Sequence, residues 1–66
     1  MSNFVALSRS ALYSAMASGR EIYVLEGDKL REIRQYGPMS KHTARRKLAS
    51  IRESFTGKPV VIGVIK

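Results

Sequence analysis

Lys41, His42, Arg45, Arg46 and Arg52 crowd into one short stretch, and their shared chemistry is that of anion recognition. Arginine can fork onto the O6 and N7 edge of guanine, and both Lys and Arg neutralise phosphates. Ser40 and Thr43 add hydroxyl groups to the same stretch. Other chemistries lack material. His42 is the only histidine, the chain has no cysteine, and there are only five carboxylates, so no metal site is expected. Ser40 and His42 do not form a nucleophile and base, because side chains two apart on a helix do not face each other. The sequence therefore predicts no enzyme and no cofactor.

Charge supports the same direction. The net charge of the 66-residue chain is +7. Residues 1–27 hold Arg9 and Arg20 against Glu21 and Glu26, which cancel. Residues 28–66 hold ten Lys and Arg against Asp28, Glu32 and Glu53, and so carry the whole excess. Segregated positive charge suits a polyanion, since each neutralised phosphate releases condensed counterions. Hydrophobic residues make up 44% and charged residues 26%, which fits a globular domain rather than a disordered tail. No apolar run reaches the length of a membrane span, and the start lacks the pattern of a signal peptide. A cytoplasmic protein of one domain is expected.

The cations need an element to present them. Ser40 is placed to cap a helix running to about Phe55, with Ala44, Leu48, Ile51 and Phe55 on one apolar face. Lys41, His42, Arg45, Arg46, Ala49 and Arg52 then project outward, as a helix laid in a major groove requires. Its free N-terminal amides, with Ser40, suit a phosphate. Upstream, a stripe of Phe4, Leu7, Ala11, Leu12, Ala15 and Met16 predicts a helix over 3–18. REIYVL at 20–25 reads as a strand. Asp28 is expected to cap a short helix with Leu30, Ile33 and Tyr36 inward, and Gly37 to Ser40 form a turn. KPVVIGVIK at the end is the strongest strand signal. Tyr13, Tyr23 and Tyr36 are scattered in phase and are assigned to the core rather than to base stacking.

Residues 39–51, MSKHTARRKLASI, resemble the recognition-helix region of winged helix–turn–helix bacterial regulators of the GntR and DeoR types. The match lies at Met39, Ser40, Thr43, Ala44, Arg45, Leu48 and Ile51, with Pro38 lengthening the turn by a residue. The resemblance implies that Ser40, Lys41, His42, Thr43, Arg45 and Arg46 lie at the DNA, with Leu48 and Ile51 in the core. The resulting expectation is an α+β fold, a small winged helix–turn–helix domain in the order helix, strand, helix, helix, strand. A second resemblance competes with it. Residues 10–23 are similar to the recognition helix and following strand of phage Cro repressors, and to a helix of AlpA-like and excisionase-like regulators. It implies that Ser8, Arg9, Ser10 and Ser14 face DNA instead.

The terminal strand suggests assembly. Val60, Ile62 and Val64 lie on one face, and Val61 and Ile65 on the other, so both faces call for burial. Pairing of this strand with its copy in a second subunit would cover it and join two recognition helices over a palindrome. The alternative is a central strand within one chain. Together these readings give a dimeric, double-stranded DNA-binding repressor or accessory factor of phage or plasmid type. The alternatives are a small inhibitor that binds a host enzyme through its strand edge, and an RNA-binding module.

Overall fold

The computed structural model describes residues 3–34 and 37–66. Its elements are β1 (Phe4–Ala6), α1 (Arg9–Ala17), β2 (Ile22–Glu26), β3 (Lys29–Ile33), α2 (Lys41–Ser54) and β4 (Val60–Ile65). The four strands form one antiparallel sheet in the order β1-β4-β2-β3. The α+β class expected from sequence is present. The order of elements is not the expected one.

The main departure is β3. The segment expected as a helix from Asp28 is a strand, paired with β2 from Glu26↔Lys29 to Ile22↔Ile33. Gly27 and Asp28 form the two-residue turn between them, and Gly27 has φ +64°, which a first central glycine of a tight hairpin adopts without strain. The consequence for the inward residues is direct. Leu30 faces away from the helices and is 37% exposed, Ile33 is half-buried, and the inward place expected for Tyr36 lies outside the described residues. The second departure is the N-terminus, where residues 4–6 form an edge strand and the first helix starts only at Arg9.

Both helices pack on one face of the sheet. Strand residues point alternately to its two sides, and registered partners share a side. Val24 lies opposite Ile62, and Val5 opposite Val64. These four join Ile22 under Leu12 and Met16 of α1 and Ala44, Leu48 and Ile51 of α2, in one apolar cluster. The inward face expected of the second of these helices is therefore the observed one. The other side of the sheet carries Tyr23, Leu25, Leu30 and Val61, and no helix covers it.

β4 lies inside the sheet, between β1 and β2, so both of its edges are paired within the chain. The expected dimer through a β4 edge is thereby corrected. Ile62 and Val64 are buried beneath the helices, Val60 and Ile65 are half-buried, and Val61 is 44% exposed on the open face. Two strand faces that call for cover are met largely within one chain. Gly63 explains how β1 comes so close. A Cβ there would run into the Val5 carbonyl group, whose carbon would lie 2.8 Å away.

Candidate nucleic-acid interface

α2 begins where the sequence places it. Ser40 has extended backbone angles, and its Oγ accepts from the Thr43 amide at 3.1 Å. The Ser40 hydroxyl also lies 3.0 Å from Thr43 Oγ1 and donates to it. Ser40 and Thr43 are thus engaged with each other, as a cap. The Lys41 and His42 amides, which precede the first helical hydrogen bonds, point outward from this end. His42 is exposed.

The burial of Ala44, Leu48 and Ile51 fixes where everything else on α2 points. Lys41, His42, Thr43, Arg45, Arg46 and Arg52 are all exposed, and Lys47 is half-buried. They do not form one cluster. At about 100° per residue, Arg46 stands opposite the buried face, with His42 beside it one turn earlier. Lys41, Arg45 and Arg52 run down one flank, and Thr43 and Lys47 lie on the other. The structure therefore presents a cationic ridge with two shoulders.

Two cations outside α2 share one carboxylate. Glu26 takes Arg31 Nε at 3.3 Å and Lys58 Nζ at 3.8 Å. Among the described residues, none of the Lys or Arg of α2 has such a partner. The one acidic residue of the helix, Glu53, lies near its C-terminal end.

The two helices lie side by side and antiparallel. Just past the C-terminal end of α1, a Cβ at Gly19 would approach Pro38 N to 3.0 Å, ahead of the start of α2. At the opposite end, Arg9 and Tyr13 of α1 line a groove of ≈ 290 Å³ with Leu48, Ala49 and Arg52 of α2. Arg9 thus joins the cationic flank, although its own half of the sequence is electrically neutral. Only the competing resemblance pointed to it, and helix packing was not legible from local periodicity.

A helix does not precede the turn before α2; β3 does, at Lys29–Ile33. The fold and surface together define a small α+β domain that displays one basic helix. Comparison with family models, with curated proteins and with solved structures gives no match. Among the described residues, no helix is long and apolar enough to cross a membrane.

Proposed function

We propose that the chain binds double-stranded DNA through the outward face of α2, as a sequence-specific regulator of transcription. The observation that supports this most is the excess of unpaired cations on a helix whose folding does not need them. Ala44, Leu48 and Ile51 supply its burial, and Ser40 its cap. Lys41 and Arg45, by contrast, stand four apart with like charge, an arrangement that costs a helix ~0.2–0.5 kcal/mol. Charges that oppose folding and lack internal partners are suited to an external polyanion.

In this reading Arg46 and His42, at the crest, reach base edges, while Lys41, Arg45 and Arg52 hold phosphates along one strand. The Lys41 and His42 amides offer a further phosphate seat. The winged helix–turn–helix arrangement suggested by residues 39–51 would require a supporting helix where β3 stands, so the reading rests on α2 itself. A dimer through β4 is not part of it. Titration of a fluorescent duplex at two salt concentrations tests the reading. Log affinity should fall linearly with log salt, and Arg46→Ala should cost ~1–3 kcal/mol. Lys58→Ala, which removes a cation already paired to Glu26, should bind as the intact chain does. No duplex binding at low salt, or an equal loss from Lys58→Ala, overturns it. A preference for RNA over duplex would favour the RNA-binding alternative.

One observation favours a second reading. Leu30 and Val61 stand exposed on the uncovered sheet face, which suits a protein partner such as a host enzyme. That partner would use the face, or the β1 and β3 edges, and not an edge of β4.

A further inference from the structure

We infer that the groove between α1 and α2 seats a single backbone phosphate of the bound duplex, held between Arg9 and Arg52. The inference rests on the α2 reading above and extends the contact surface to a second helix. Four observations converge on it. Arg9 and Arg52 come from opposite ends of the sequence, yet the antiparallel packing of the helices brings both to one groove of ≈ 290 Å³. Neither has an ion-pair partner among the described residues. Leu48 and Ala49 also line the groove and bring no charge of their own to it. Tyr13 lines it too, and a phenol can donate to a phosphate oxygen.

Two like charges around one concavity repel each other until an anion enters. A phosphodiester fits that demand, since guanidinium groups bind phosphate oxygens with paired, charge-assisted hydrogen bonds. The seat also continues an existing line. Arg52 stands two helical turns from Arg45 on the same flank of α2, so a strand tracking Lys41 and Arg45 arrives at this groove. Arg9 then acts as a lateral anchor that fixes the angle at which α2 enters the DNA.

The test compares single and double substitutions by duplex titration over a salt series. Removing one phosphate contact should lower the salt slope by about one. Near 0.1 M salt that corresponds to about an eightfold loss of affinity, taking 1 M as the point where counterion release no longer contributes. Arg9→Gln should show part of both effects, since Arg52 still holds the phosphate, and Arg9→Lys should restore the slope. Because the two arginines share one phosphate, Arg9→Gln with Arg52→Gln should lower the slope by about one in total, not two. Both side chains are exposed, so thermal melts should not move. Unchanged binding of Arg9→Gln, with a clear loss from Arg46→Ala, overturns this seat and leaves the α2 reading standing. A double variant whose slope drops by about two overturns the shared phosphate. Undiminished binding by Arg46→Ala as well removes the α2 reading itself.

Discussion

The outer side of α2 and the outer side of the sheet enclose the same core and differ in almost every other respect. The helix presents Lys41, Arg45, Arg46, Lys47 and Arg52 with one acidic residue, Glu53. The sheet presents Leu25, Leu30 and Val61, together with Tyr23 hydrogen-bonded to Glu32 at 3.1 Å. The difference teaches what each surface is free to be. An amphipathic helix needs only its narrow apolar stripe, so its remaining residues answer to something outside the fold. A four-stranded sheet buried on one side has a second face of equal area, and two short helices cannot cover both. The exposed leucine and valine are a geometric consequence of that shortage; the basic crest is not.

The largest change should come from the core that joins the two regions. Leu48→Ala is expected to destabilise the chain by ~2–5 kcal/mol, in a small domain whose total stability is of order 5 kcal/mol. Thermal melts should show a large fall in midpoint, and an unchanged one would detach α2 from the sheet. Gly63→Val breaks the comparison from the other side. Its side chain collides with the Val5 backbone, so β1 must leave β4, and exchange protection of the β1 amides, and of the β4 amides that face β1, should collapse. Retained protection would mean that β1 does not approach as described.

The next effects are smaller and separate the surfaces. Lys in place of Val61 or Leu30 should alter stability by no more than ~0.5 kcal/mol and leave duplex affinity unchanged. A strong loss of stability in either variant would show that the sheet face is covered in solution. The smallest effect concerns pH. The hydrogen bond to Glu32 raises the Tyr23 phenol above its ordinary value of 10.0, with the nearby Glu32 and Glu21 charges acting in the same direction. A raised folded value means that the unfolded chain releases its proton first. Stability is therefore full below pH 10 and declines as pH rises through the folded value. Glu32→Gln should weaken that alkaline decline; an identical decline in the variant would remove the pair from the account.

Much of this molecule was legible locally. Ser40 followed by Ala44, Leu48 and Ile51 specifies a capped amphipathic helix without help from its surroundings, and the β-branched runs at 22–25 and 60–65 specify strands. β3 was not legible, because Leu30 and Ile33, three apart, share one face of a helix and fall on opposite faces of the strand they form. Asp28 also reads equally as a cap or as the second residue of a Gly-Asp hairpin. The pairing with β2 decides between them, and pairing is not local. β1 is only three residues long and exists through its register with β4, at Phe4↔Ile65 and Val5↔Val64. The same limit applies to function. The cations of α2 announce themselves by spacing, whereas the meeting of Arg9 with Arg52 depends on how two distant helices pack. Placing β4 between β1 and β2 likewise turns an apparent dimer strand into an internal one.

Titration of isotopically labelled protein with duplex DNA at low salt, followed by amide chemical shifts, tests the central claim most directly because it watches both surfaces at once. Amides over residues 40–52 should move in a concentration-dependent way, while those of Tyr23, Leu25, Leu30 and Val61 stay in place. Shifts confined to the open sheet face, or none along α2, would contradict the assignment of the basic helix as the DNA-binding surface.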